Sequence, residues 1–291
     1  MEMAAVFEAH DSYVISLLFS YDSQTLISAG MDSAVKLWSA PDWQPLVTFE
    51  GHSKSANSLS LAPDGRTLAT GSTDAKVKLW SFPGGDLIQT LQDRKKTVAA
   101  VRISPDGAWV AAGCYGGRAM VWTLAGEEVV GIQARRTNLG SIAFSPNSRI
   151  LATSGLGDNI DLWSLPSGER VATLEGHDTA VGSLRFIDAG RCLVSLGYEQ
   201  SIKFWDTDSW QVAETVQGKA PGARGLTFSP DERLAALSSE SKVEIWSVHN
   251  WLLEAELAIG TKAVYGMAFS PDGHWLAVGA ADKKIRIWRL G

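Results

Sequence analysis

Cysteine is almost missing from this 291-residue chain: Cys114 and Cys192 are its two thiols, at unrelated positions. A disulfide framework is therefore excluded, and both read as reduced core residues in a cytoplasmic setting. No segment approaches 18 consecutive apolar residues, so no membrane span is expected. The opening Met1–Glu8 lacks both a basic n-region and a long apolar stretch, which argues against a signal peptide. No helical periodicity is evident and no glycine-rich loop leads into a helix, so a phosphate-cradling nucleotide site is not expected. The five histidines, His10, His52, His177, His249 and His274, are dispersed. Neither cysteine has a ligand-spaced neighbour, so neither metal nor cofactor is expected. A net charge of −6 disfavours bulk nucleic-acid binding.

What the chain has is tryptophan at a fixed interval. Trp38, Trp80, Trp122, Trp163, Trp205, Trp246 and Trp288 each close a short strand-like run, spaced 41 or 42 residues apart. Self-similarity at this period marks a toroidal array in which each repeat supplies one sheet. Residues 45–85 show the unit. Pro45–Phe49 is a short apolar-rich strand, and Ala56–Leu61 is a second. Ala62-Pro63-Asp64-Gly65 makes a turn with Pro and Gly at suitable positions. Leu68–Ser72 is a third strand, and Lys76–Trp80 a fourth that alternates polar and apolar. The turn recurs as Ser-Pro-Asp-Gly at 104–107 and 270–273, with variants at Ser145, Ser229 and Ser20; Ile187-Asp188-Ala189-Gly190 departs furthest. Four short strands repeated seven times describe an all-β, seven-bladed β-propeller of four-stranded antiparallel blades in one domain, residues 1–291.

Gly51-His52 and Gly176-His177, each with its histidine 28 residues before a blade tryptophan, and Trp205-Asp206 resemble the WD-repeat family over essentially the whole chain. The chain opens on an outermost strand, about residues 3–8, and stops after 284–289 without one. The N-terminal strand is therefore expected to join the last blade beside Ile285–Trp288 and close the ring. The same offset suggests a complete domain, expected to be a monomeric ring by itself.

Three repeats carry a group that looks catalytic at first sight: His10, Ser28, Asp32 and Trp38; His52, Thr70, Asp74 and Trp80; and His177, Ser195, Glu199 and Trp205. A Ser-His-Asp triad would use such residues. The resemblance implies instead a hydrogen-bonded chain from carboxylate to histidine to hydroxyl to indole, fixing two turns to the blade. The chemistry suits that role, since indole only donates, imidazole does both and carboxylate accepts. Its recurrence in separate blades is the mark of scaffolding. Blades three, four, six and seven lack the full set, with Arg94, Arg135, Lys219 and Thr261 at the histidine position. Their turns are expected to rely on packing alone.

The loops before each inner strand, such as that before Ala56–Leu61, and the turns before each tryptophan strand are expected to emerge on one face around a central channel. In WD-repeat proteins that face commonly docks partners. Here Arg94, Lys95, Lys96 and Arg118 in blade three, Arg135 and Arg136 in blade four, and Lys219, Arg224 and Lys262 beyond them concentrate positive charge on an acidic protein. Such a sector suits an acidic or phosphorylated peptide through guanidinium forks. Tyr13, Tyr115, Tyr198 and Tyr265 lie in or beside these loops, with Tyr265 and Arg224 toward the channel mouth. The alternative for each tyrosine is a cap on its own blade. Trp43, Trp210 and Trp251 are expected to begin outermost strands on the opposite face, covering blade edges or forming a second contact site; Trp109 and Trp275 read as core. Channel-facing positions are expected at Ile15, Asn57, Ala99, Gly140, Gly182, Arg224 and Tyr265, too few titratable groups for an enzyme. The sequence thus points to a non-catalytic WD-repeat scaffold for protein–protein interaction. The alternatives are a regulatory or sensor propeller that assembles with an effector, and a propeller hydrolase or lyase.

Overall fold

The structure, a computed structural model, describes residues 1–92, 96–134, 137–217, 225–260 and 263–290. Strand β1 spans Glu2–Glu8, and the first repeat follows as β2 (Val14–Phe19), β3 (Thr25–Gly30), β4 (Val35–Ser39) and β5 (Pro45–Phe49). The second is β6 (Ala56–Leu61), β7 (Thr67–Ser72), β8 (Lys76–Ser81) and β9 (Leu87–Gln92). The third is β10 (Val98–Ile103), β11 (Trp109–Cys114), β12 (Arg118–Thr123) and β13 (Glu128–Gln133). The fourth is β14 (Leu139–Phe144), β15 (Ile150–Gly155), β16 (Ile160–Ser164) and β17 (Arg170–Leu174). The fifth is β18 (Val181–Ile187), β19 (Cys192–Gly197), β20 (Ser201–Asp206) and β21 (Val212–Gln217). The sixth is β22 (Gly225–Phe228), β23 (Leu234–Ser238), β24 (Lys242–Ser247) and β25 (Leu253–Ala258); β26 (Val264–Phe269), β27 (Trp275–Ala280) and β28 (Lys284–Arg289) end the chain.

Each run of four forms its own antiparallel sheet, and the seventh has the order β1-β28-β27-β26. The fold is the expected seven-bladed β-propeller. The N-terminal strand takes the outer position of the last sheet, pairing Phe7 with Ile285 and Met3 with Trp288.

Local chemistry explains the turns. Ser20, Ser104, Ser229 and Ser270 each donate a hydroxyl hydrogen bond to the aspartate two residues on, at 2.5–2.6 Å. The same hydroxyls accept from the first backbone N–H of the next strand, at Thr25, Trp109, Leu234 and Trp275, each 2.9 Å away. The turn then needs a left-handed residue, which Gly107 supplies at φ 73° and Gly273 at φ 74°. Ser23, Ser148 and Glu232 accept that conformation without glycine. At the divergent turn, Asp188–Gly190 forms a short 3₁₀ segment instead, with Asp188 paired to Arg191.

The chain divides into two compact units, one comprising 1–59, 81–86 and 220–291 and the other 60–80 and 87–219. In the first unit, one core lies between sheets seven and one, where Phe7, Trp38 and Trp43 meet Ile285 and Ile287. A second joins sheets six and seven through Leu257, Phe269 and Trp288. In the second unit, Val101, Trp122 and Leu79 share one core, and Ile142, Leu151 and Trp163 pack on Ala111 and Val121 in the next. Strands β3, β7, β11 and β27, the second of their runs, are buried along nearly their whole length, as expected of a strand covered on both faces.

Candidate functional site

In blade one, His10 Nδ1 lies 2.9 Å from Asp32 Oδ1, and His10 Nε2 lies 2.8 Å from Ser28 Oγ. The Trp38 indole N–H donates to the same hydroxyl at 2.9 Å. Burial lowers the His10 pKa below 6.5, against the opposing pull of Asp32. A neutral imidazole then donates from Nδ1 to the carboxylate and accepts the Ser28 hydroxyl at Nε2. Asp32 also accepts from the Asp11 and Ala34 backbone N–H groups, so one carboxylate secures both turns.

Blade five repeats the arrangement with a longer acid. His177 Nε2 is 2.6 Å from Ser195 Oγ, and the Trp205 indole donates to Ser195 at 2.8 Å. Glu199 bonds His177 Nδ1, Thr179 and Ser201. Burial raises its pKa, but the hydroxyls of Ser201 and Thr179 and the His177 ring outweigh that and hold it at about 2. In blade two the Trp80 indole donates to Thr70 at 2.8 Å, Asp74 accepts from the Lys76 N–H, and His52 is buried. Ser28, Thr70 and Ser195 are fully enclosed, so no substrate reaches their oxygens.

The remaining blades do not rely on packing alone, contrary to the expectation from their missing histidines. Blade four keeps the indole bond, Trp163 to Thr153 at 2.9 Å. In blade three, Asn138 Oδ1 accepts the Gly116 N–H at 2.9 Å, and the Gln133 amide donates to the Gly116 carbonyl at 3.0 Å. Blade six gives the Trp246 indole a carboxylate, Glu244, at 3.2 Å. Lys242 bridges Glu244 and Glu256 there. In blade seven a two-point ion pair joins Arg286 to Asp282. The physical requirement is a satisfied polar anchor at each turn, and several residue types meet it.

Of the basic sector, Arg94, Lys95, Arg135, Arg136 and Arg224 lie outside the described residues, as do Lys219, Thr261 and Lys262. Lys96 is exposed. Arg118 is half-buried and lies back along its own sheet, its Nε 3.0 Å from Met120 Sδ. Tyr265 stacks on Tyr13 with centroids 5.7 Å apart and planes 15° from parallel, so these two tyrosines pair across sheets seven and one. Tyr198 covers Gly182 in its own blade. Beside the blade-one network a cavity of about 490 Å³ is lined by Asp11, Asp32 and Glu50 against Lys36 and His52.

Trp43 and Trp251 are buried and are no contact site. They also precede their outer strands by two residues, as does Trp210, in turns at φ 57°, 51° and 57°. Trp43 meets Trp275 edge-on at 5.5 Å, which explains its burial. The residues expected to face inward at Ile15, Ala99, Gly140, Gly182 and Tyr265 are bulges, skipped by the ladder.

Among the described residues, no group of three or more His, Cys, Asp or Glu is placed to hold a metal ion. No described helix is long and apolar enough to cross a membrane. Cys114 is buried and Cys192 half-buried, both as free thiols. The family model described as IFT122 first beta-propeller matches residues 1–220. That of the WD domain, G-beta repeat, matches residues 255–289. No curated protein matches the chain closely enough to count as a relative.

Proposed function

Since the chain belongs to the family described as the IFT122 first beta-propeller, we propose that it is a non-catalytic scaffold, a single propeller domain that docks a protein or peptide partner on the loops before its first strands. The supporting observation is the fate of the aromatic residues. All seven blade tryptophans are buried, whereas Tyr13, Tyr115, Tyr198 and Tyr265 keep 40–48% of their surface exposed. Tyrosine anchors interfaces well because a large rigid surface carries a polar tip.

The partner surface is acidic or phosphorylated, with Arg94, Lys95, Lys96, Arg118, Arg135, Arg136 and Arg224 as the candidate complementary charges and Tyr265 as a candidate anchor. The protein acts as a monomer in the cytoplasm. Affinity capture with wild type and with Arg94, Lys95, Lys96, Arg135 and Arg136 changed to glutamate tests this. Partners lost from the reversed protein support the basic docking sector. The same partners retained equally by both would refute it.

A further inference from the structure

The cavity of about 490 Å³ beside the blade-one network is built from the first compact unit alone. Asp11 lines it from the loop ahead of β2, Asp32 from the turn between β3 and β4, and Glu50 from the chain leaving β5. Lys36 on β4 and Thr48 on β5, partners in the ladder, line it as well. The volume falls within the range of about 300–1,000 Å³ usual for ligand sites.

The lining is one-sided in charge. Three carboxylates stand against the single ammonium of Lys36, a formal excess of two negative charges with histidine neutral. Lys36 Nζ already donates to the Ala9 carbonyl at 2.8 Å. Asp32 is engaged by His10 and by two backbone N–H groups. Asp11 and Glu50 differ: both are exposed, and their carboxylates make no hydrogen bond or ion pair with a described residue. A recess lined mainly by one sign of charge concentrates ions of the other.

The spread of the acids selects the cation. Among the described residues, no three acidic, histidine or cysteine side chains converge where a metal ion could sit. Separated acceptors suit a guanidinium, whose five donors lie in a plane and can reach two carboxylates, better than a compact ammonium. The two loops that supply Asp11 and Asp32 also carry Tyr13 and Met31, which are 40% and 48% exposed. The Tyr13 carbonyl accepts the Met31 N–H at 2.9 Å, so both lie at one place on the surface. Apolar neighbours of an arginine have a surface to rest on there.

We propose that this cavity receives an arginine side chain from a peptide segment of a protein partner, with Asp11 and Glu50 pairing its guanidinium. The site goes beyond the basic docking sector, which takes the opposite charge, so either can fail with the other intact.

Fluorescence anisotropy of a labelled Gly-Leu-Arg-Leu-Gly peptide is followed as the full chain is added at low ionic strength. Counterpart peptides carry citrulline, which keeps the shape and removes the charge, or lysine. Wild type binds the arginine peptide saturably, the lysine peptide about threefold more weakly or worse, and the citrulline peptide not at all. Glu50→Gln and Asp11→Asn each weaken arginine binding about threefold, and the double variant about tenfold. Neither substitution removes a bond of the blade-one network, and circular dichroism of each variant establishes that it is folded. Glu214→Gln, an exposed acid of the other compact unit, controls for net charge and leaves binding unchanged. Binding untouched by the double variant, or weakened as much by Glu214→Gln, would overturn the site. Equal binding of the arginine and citrulline peptides would overturn it too, and equal binding of the arginine and lysine peptides would overturn the choice of guanidinium.

Discussion

Replacing Ser28 by alanine is the sharpest test of the polar anchors. The Ser28 hydroxyl accepts the Trp38 N–H and meets His10 Nε2, and the residue is fully buried. Its loss strands a donor and an acceptor together, each costing about 1–3 kcal/mol when buried without a partner, or about 2–6 kcal/mol for both. Thr153→Val in blade four strands the Trp163 indole and loses a long 3.4 Å bond to the Asp161 carbonyl, so about 1–3 kcal/mol is expected there. Urea denaturation at pH 7.5 should therefore rank Ser28→Ala well below Thr153→Val, and both below wild type. For a chain of this size a loss of 2 kcal/mol lowers Tm by roughly 3 °C. The double variant Ser28→Ala/Trp38→Phe should recover part of the deficit, because the stranded indole N–H is gone. A Ser28→Ala protein within about 0.5 kcal/mol of wild type, the range of an ordinary surface change, would refute the reasoning.

Three further outcomes follow from the same structure. Deleting residues 1–8 removes β1 from β28 and the Phe7 ring from Trp38, 4.9 Å away, so Tm should fall sharply; an unchanged Tm would contradict closure by the N-terminal strand. Burial holds the His10 and His177 pKa values below 6.5. The unfolded chain then binds more protons than the native one below that pH, so stability is full above about pH 6.5 and declines as the pH falls beneath it. Urea midpoints at pH 7.5 and 5.5 check the sign, and a higher midpoint at 5.5 would contradict it. A Cβ at Gly155 would lie 1.9 Å from the Asn138 carbonyl oxygen, whereas one at Gly140 would meet only the Gly155 Cα, in ordinary contact at 3.9 Å. Thermal melts should show Gly155→Ala destabilised by about 1–3 kcal/mol and Gly140→Ala nearly unchanged; equal melts would refute the packing account.

The fold was legible because its signals are local and repeated. The tryptophan interval, the serine-headed turns and the alternation in Lys76–Trp80 all specify the same four-strand unit, and the structure has it at those positions. The histidine networks were legible in outline because their members recur at fixed spacings. Less legible were anchors built from residues far apart in sequence, such as Asn138 on Gly116. The same is true of anchors with different chemistry, such as Glu244 on Trp246. For Trp43 and Trp251 the sequence left a blade-edge cover and a second contact site open, and their burial fits the cover. The first-strand bulges broke the period-two count at the positions expected to face inward.

The docking face is tested most directly by hydroxyl-radical footprinting of the protein alone and saturated with a captured partner. The account predicts protection of Tyr13, Tyr115, Tyr198 and Tyr265 on binding, with Leu46, Leu87 and Leu252 on or beside the outer strands as reactive as before. Protection confined to those leucines, with the four tyrosines unchanged, would contradict it.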